Sequence, residues 1–268
     1  MRSLAAQTSK QFPGYLKESL ATRRSLARKQ GNRDSLRRVQ EGEGGVRLLD
    51  LFCGRWGWSR AFAARGWECV GVDLVEPSEI PPRCEFIRAN VLDIWREGTS
   101  IHIPTGGREP AFGFDLICAS SPCEEFSVHG MKHFHPNPAY PELGIKLFNH
   151  TRQLCEVSDL PYVMENVRAA QQFVGNAVHH CGPFYLWGTA VPPILPQGIQ
   201  KGVRLGKSGF TGEAQKEFRK RNSNPARDAW SGSEKRAEAT AKLATIPPEL
   251  ANCVAEYAER LLEQKVVP

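Results

Sequence analysis

Cys123 lies in the stretch Ser121-Pro122-Cys123-Glu124-Glu125-Phe126-Ser127, between a proline and two carboxylates and outside any apolar run. A thiol so placed is a candidate nucleophile, because a thiolate can add covalently to a substrate carbon and later leave. The alternative is a small buried hydrophobe. Further on, Met164-Glu165-Asn166-Val167 supplies a carboxyl group able to act as an acid, with an amide beside it. Glu165 could equally be a salt-bridged carboxylate at a strand end. Upstream, Cys53-Gly54-Arg55-Trp56-Gly57 is a glycine turn through which backbone can approach a bound cofactor closely. Many α/β proteins use such turns for packing alone, so this one gains meaning only beside the Pro-Cys and Glu-Asn stretches.

These residues need elements to position them, and the sequence predicts alternating strands and helices from Val46 onward. Leu48, Leu49, Leu51 and Phe52, interrupted by Asp50, read as a buried parallel strand, with a helix from Trp58 to Arg65. Glu68–Leu74, Glu85–Val91, Phe114–Ser120 and Pro161–Val167 are the next strands. Between the last two, Pro141–Val157 fits a helix with Leu143, Leu147, Leu154 and Val157 on one face. This alternation predicts a doubly wound, mostly parallel sheet, with ligands beyond the carboxyl ends of the strands. Asp73, Asp93, Pro122-Cys123 and Glu165-Asn166 all fall at such ends. After His179 periodicity fades through a Gly- and Pro-containing region, and a helix returns at Ile246–Leu262 with Leu250, Val254, Tyr257, Ala258 and Leu261 as its apolar stripe.

Composition is that of a globular protein: 268 residues, 41% hydrophobic and 24% charged. The N-terminus lacks an apolar signal core, and no run approaches membrane-spanning length, so a cytoplasmic chain is expected. The eight cysteines include no Cys-x-x-Cys pair and read as mostly buried thiols rather than a disulfide framework. Residues 1–45 carry 10 Lys and Arg against 4 acidic residues, 46–200 carry 12 against 16, and 201–268 carry 13 against 9. Basic ends around a mildly acidic middle suggest contact with a polyanion, most plausibly nucleic acid, or simply solvated tails. The chain divides into a basic arm over 1–45, a core over 46–178, a small irregular basic region over 179–245 and a terminal helical segment over 246–268.

Taken together, Asp50-Leu51-Phe52-Cys53-Gly54 with Gly57, the Pro-Cys stretch, the Glu-Asn-Val stretch and the Ile246-Pro247-Pro248-Glu249-Leu250-Ala251 helix stand in one order and spacing. In these the chain resembles the cytosine-5 DNA methyltransferases, in particular small phage-type members. The resemblance implies the S-adenosylmethionine-dependent methyltransferase fold, with a very small recognition region. It implies S-adenosylmethionine as cofactor and DNA as substrate. Carbon 5 of cytosine is a poor nucleophile, and a thiolate adding at carbon 6 makes it an enamine carbon able to accept a methyl group. Cys123 on its Pro122 turn would then be the nucleophile and Glu165 the acid at ring nitrogen 3, with Asn166 orienting the turn. Asp50, Phe52, Gly54 and Gly57 would shape the methionine and ribose pocket; Asp73 would accept from the ribose hydroxyls and Asp93 from the adenine amino group.

Two departures stand out. Glu124 occupies the place of the family's usual Gln, and an ionised carboxylate there would disfavour the thiolate unless it points away or is paired. Trp56 replaces a glycine, where its indole could pack over the cofactor or narrow its pocket, leaving open a modified cofactor or a transferred group other than methyl. His129, His133 and His135 match no standard zinc spacing, so no metal is expected, and Ser127 and His129 are candidate DNA contacts in the family's mobile loop. The family's Gln-x-Arg-x-Arg element has no clean copy; its nearest approximation, Phe218-Arg219-Lys220-Arg221, makes Arg219 and Arg221 further candidate contacts. No partner protein or membrane is implied. RNA remains an alternative substrate, because the core motifs do not separate the two, and a catalytically silent nucleic-acid-binding relative is a third reading. The joint presence of Pro122-Cys123 and Glu165-Asn166 argues against silence.

Overall fold

The computed structural model describes residues 45–97, 100–104, 111–133, 135–197, 199 and 244–264. Its main sheet has seven strands: β1 (Arg47–Leu51), β2 (Glu68–Asp73), β3 (Cys84–Arg88), β7 (Leu116–Ser120), β8 (Tyr162–Asn166), β9 (His179–Cys181) and β10 (Phe184–Trp187). A second sheet holds β4 (Trp95–Glu97), β5 (Ser100–His102) and β6 (Ala111–Phe112) in antiparallel order. The helices are α1 (Ser59–Ala64), α2 (Glu124–Gly130), α3 (Glu142–Ser158), α4 (Gln171–Val174) and α5 (Pro248–Gln264).

The main sheet runs β3-β2-β1-β7-β8-β10-β9. Its first five strands are parallel, and β10 joins β8 antiparallel. The order reverses between β1 and β7, which opens a crevice at their carboxyl ends. Leu48 faces a core with Trp58, Phe62, Leu116, Leu250 and Val254, whereas Leu49 and Leu51 face one with Ile117, Met164, Phe126 and Phe148. That alternation is the two-residue period of a strand buried on both sides. Asp50 therefore shares the α1 side of the sheet with Leu48.

The expected strands and long helices lie within a few residues of the observed ones, but the buried face of α3 differs. Leu143 and Val157 are exposed; the buried row is Gly144, Leu147, Phe148, Thr151, Leu154, Cys155 and Ser158. Small and polar residues fill it where α3 lies close against the sheet and α2, a pattern hydrophobicity alone does not show. On α5, Leu250, Val254 and Ala258 are buried as expected, joined by Ala251 and Ala255, while Tyr257 and Leu261 are only half-buried. The short β9–β10 hairpin, in the region read as irregular, completes the main sheet, which thus extends past residue 178. The β4–β6 sheet was also not legible, since strands this short carry no detectable period. Arg65 clamps α5 to α1 through two bonds to Glu259, at 2.9 and 2.7 Å. Among the described residues no helix is long and apolar enough to cross a membrane.

Candidate active site

At the end of β1 the chain turns sharply. Phe52 and Trp56 adopt left-handed backbone, φ 60° and 62°, and Gly54 has φ 47°. Such φ values are costly for bulky side chains and free for glycine. The turn is held by Cys53 N–H donating to Val72 O at 3.2 Å and Trp56 N–H donating to Cys53 O at 2.7 Å. Asp73, ending β2, fixes it from the side: its Oδ2 accepts from Gly54 N at 3.0 Å, and its Oδ1 accepts from Leu74 N at 2.7 Å. Asp73 is thus part of the turn's own framework, and its carboxylate keeps lone pairs for further donors.

Trp56 is fully buried against β2 and lies edge-on to Phe86 of β3, with ring centroids 6.4 Å apart. Its Nε1 donates to Glu79 O at 2.8 Å. A Cβ on Gly71 would fall 2.2 Å from the indole, so Gly71 makes room for the ring. The indole is fully buried with its ring set against β2 and β3, and Trp56 also contributes to the wall of the adjacent cleft. Indole burial and the Glu79 bond offset the left-handed backbone that glycine would adopt freely. Gly57 also makes a packing contact: a Cβ there would come within 2.8 Å of Ile246 N, so this glycine admits the segment leading into α5. A cleft of about 630 Å³ opens beside the turn, and Gly54, Arg55, Trp56, Gly57, Arg60 and Glu79 are among the residues that line it.

Asp50 is 1% exposed. Its Oδ2 accepts from Ser59 Oγ at 2.6 Å and from Ser59 N at 3.2 Å, which caps α1. Burial pushes its carboxyl up to about 7 against the lowering effect of both Ser59 bonds. Its Oδ1 is buried with no hydrogen-bond partner. A buried acceptor left open beneath a glycine turn fits a ligand that brings a cationic or N–H donor, as the amino-acid end of S-adenosylmethionine does. Asp93 is exposed at the end of a short 3-10 turn that Asn90 caps through Leu92 N at 3.1 Å.

The second half of the crevice lies at the ends of β7 and β8, where Ser120 pairs with Glu165 in register. Asn166 is fully buried, and its Nδ2 donates to both Ser121 O and Ser121 Oγ at 3.0 Å. Its Oδ1 accepts from Val167 N at 2.8 Å. Every polar atom of the side chain is thereby used, and its amide group holds the residue two before Cys123. Glu165 is 5% exposed beside it. Cys123 is half-buried and precedes α2, whose first turn closes with Ser127 N–H donating to Cys123 O at 2.8 Å. Pro122 and Glu124 are both exposed. Glu125 is committed elsewhere: its Oε2 accepts from Gly144 N at 2.7 Å and caps α3, which tethers α2 from the far side.

None of the eight cysteines is in a disulfide. Burial pushes the thiols of Cys53, Cys118 and Cys155 well up, which disfavours the anionic form a nucleophile needs. The structure therefore brings Cys123, Glu165 and Asn166 together at adjacent strand ends, and Asp50, Phe52, Gly54 and Asp73 around one turn. His129 is engaged within its own loop: Nε2 lies 2.9 Å from Ala139 O, and the ring meets Phe173 edge-on at 4.7 Å. Arg219, Arg221 and the basic arm lie outside the described residues. Ser59, Ser121 and Glu125 were not anticipated. Each acts through a partner distant in sequence, and nothing local in the chain signals it.

A parallel sheet of this order, with a glycine turn and an acid at its first two strand ends, is the S-adenosylmethionine-dependent methyltransferase fold. Residues 46–178 match the sequence model of the C-5 cytosine-specific DNA methylases, and the chain belongs to that family. It is a DNA cytosine-5 methyltransferase that uses S-adenosylmethionine. Among solved structures, the chain is similar to a Burkholderia thailandensis 1,6-didemethyltoxoflavin-N1-methyltransferase with bound S-adenosylhomocysteine, at 14% identity and TM-score 0.27, covering 69% of this chain and 80% of that one. The antibiotic-resistance methyltransferase Kmr matches at 15% identity and TM-score 0.26, over 47% of this chain and 60% of that one. These scores are too low to bear on the assignment. No curated protein matches the sequence significantly.

Proposed function

We propose that Cys123 is the nucleophile and Glu165 the acid of this methyl transfer, with Asn166 holding the Pro122-Cys123 turn in place. The Cys123 sulfur adds to carbon 6 of the cytosine ring, and the Glu165 carboxyl hydrogen-bonds ring nitrogen 3 so that charge does not accumulate there. Carbon 5 becomes electron-rich as a result. S-adenosylmethionine, when bound, supplies the electrophilic methyl carbon. Loss of the carbon 5 proton to a base and departure of the sulfur then restore the aromatic ring and free Cys123. Asp50, Asp73 and the Phe52–Gly57 turn hold the cofactor, Asp50 through its open Oδ1 and Asp73 through its remaining lone pairs. Asp93 is the candidate acceptor for the adenine amino group.

The observation that carries this reading is the paired donation from Asn166 to Ser121, which ties the candidate nucleophile's turn to the strand that bears the candidate acid. The cytosine must leave the base stack to reach a sulfur at this depth. Ser127 and His129 lie on the segment after Cys123 and are candidates for contacting an extruded nucleotide's strand. The basic segments over 1–45 and 179–245 supply phosphate contacts, with Arg219 and Arg221 as candidate contacts in the second.

Incubation with DNA and RNA substrates, followed by mass spectrometry of the nucleosides, tests the assignment. The expected result is 5-methylcytosine in DNA that disappears with Cys123→Ser, and a covalent complex of the intact protein with a 5-fluorocytosine duplex. Undiminished methylation by Cys123→Ser would refute the role of Cys123. Methylation confined to RNA would refute the substrate, and a cytosine of another mass would refute the transferred group.

A further inference from the structure

Trp58 and Ser120 sit on opposite halves of the crevice. Trp58 follows Gly57 and precedes α1, on the cofactor side; Ser120 ends β7, paired with Glu165 and three residues before Cys123. Trp58 is 1% exposed, and its indole Nε1 donates to Ser120 Oγ at 3.0 Å. The bond is made across 62 residues of sequence and crosses the switch point of the sheet.

We propose that the Trp58–Ser120 hydrogen bond is a positioning link that sets the distance between the cofactor turn and the nucleophile's turn. Neither residue touches the reacting atoms in this role. The surrounding contacts give the link its leverage. Trp58 packs with Phe62 and Leu250 in the α1–α5 core, so its indole does not move independently of that layer. On its other side, Ser120 is followed at once by Ser121, which Asn166 pins. Movement of the glycine turn is thereby transmitted to the Pro-Cys turn through a buried indole donor that would be costly to leave unpaired. Methyl transfer needs the attacking carbon and the methyl group aligned within near-attack distance, and errors of about 1 Å cost on the order of a hundredfold in rate. A rigid tie between the halves answers that requirement.

The inference rests on the proposed role of Cys123, and the test separates the two. Trp58→Phe retains an aromatic ring and removes the donor, and Ser120→Ala removes the acceptor. With saturating cofactor and DNA, each single variant is expected to lower kcat about tenfold while both KM values stay within about threefold, because the link acts on alignment rather than on binding. The double variant is expected to be no slower than the slower single variant, since one interaction can be lost only once. Single losses that multiply in the double variant would overturn the link, as would a Ser120→Ala protein with wild-type kcat. If Trp58→Phe does not fold, the kcat of Ser120→Ala alone decides. Cys123→Ser, assayed alongside, reports on the nucleophile: full activity there refutes the site assignment, whereas an inactive Cys123→Ser with unaffected Ser120→Ala refutes only the link.

Discussion

Replacing Asn166 by Asp changes little but the sign of one group. The side chain keeps its shape, and its Oδ1 can still accept from Val167 N at 2.8 Å. The Nδ2 group, which donates to Ser121 O and Ser121 Oγ at 3.0 Å, becomes an oxygen facing two oxygens. The Ser121 hydroxyl can rotate and donate to it, but the Ser121 carbonyl cannot. At least one buried acceptor is therefore left unpaired, and a carboxylate is placed at a position with no exposure. One unpaired buried acceptor costs about 1–3 kcal/mol, and the carboxylate adds a desolvation penalty of its own. A loss of stability of about 2–4 kcal/mol is expected, read as a lower urea midpoint with unchanged m-value. Because the displaced segment carries Cys123, the rate of covalent complex formation with 5-fluorocytosine DNA should fall by about a hundredfold. The two readouts together are diagnostic. An Asn166→Asp protein that forms the complex at the wild-type rate would refute the claim that Asn166 positions the nucleophile, whatever its stability.

Asp50 predicts a pH dependence. Its carboxyl is raised from 3.8 to about 7, chiefly by burial, so between those values the unfolded chain releases a proton that the folded chain keeps. The contribution of Asp50 to stability is therefore fully present below pH 3.8 and declines as pH rises to about 7. The decline is at most about 4 kcal/mol. Urea denaturation of Asp50→Asn across this range should show a shallower fall than wild type, and parallel curves would refute the assignment. Gly71→Ala places a Cβ 2.2 Å from the Trp56 ring and should destabilise the fold by about 1–3 kcal/mol in thermal or urea melts. The double variant Trp56→Gly, Gly71→Ala should recover part of that loss, because the clash disappears and glycine suits φ 62°. A double variant showing the full sum of both single losses would refute the packing account.

The parallel strands were legible in the chain because each is buried on both faces and reads as a continuous apolar run. Leu116–Ala119 is of this kind, and Leu48–Leu51 is broken only by Asp50; most of the chemistry-bearing residues stand where those runs end. Cys123, Glu165 and Asp73 could accordingly be chosen from one-dimensional signals, a polar residue at or near a strand end or a cysteine outside an apolar run, whereas Asp50 entered through the family resemblance of its stretch. What the sequence determined was thus the residue types at the crevice and the order of the strands that carry them.

Only the tertiary structure decided what those residues hold and what holds them. Trp56 reads in the sequence as a bulky side chain at a cofactor turn, but Gly71 admits its ring against β2, and no local pattern relates the two. Gly57 reads as a cofactor glycine and meets Ile246 at the start of the segment leading into α5. Glu125 reads only as the second of two carboxylates after Cys123, yet it is spent on the N-terminus of α3. The hairpin β9–β10 and the β4–β6 sheet are strands of two to four residues, too short for a period and stabilised only by their neighbours. Asn166 to Ser121, Trp58 to Ser120 and Arg65 to Glu259 are likewise long-range pairs. A strand's burial leaves its mark along the chain, because every second residue must answer to the same core. A hydrogen bond between distant residues leaves none, because its geometry exists only once the sheet has brought the two together.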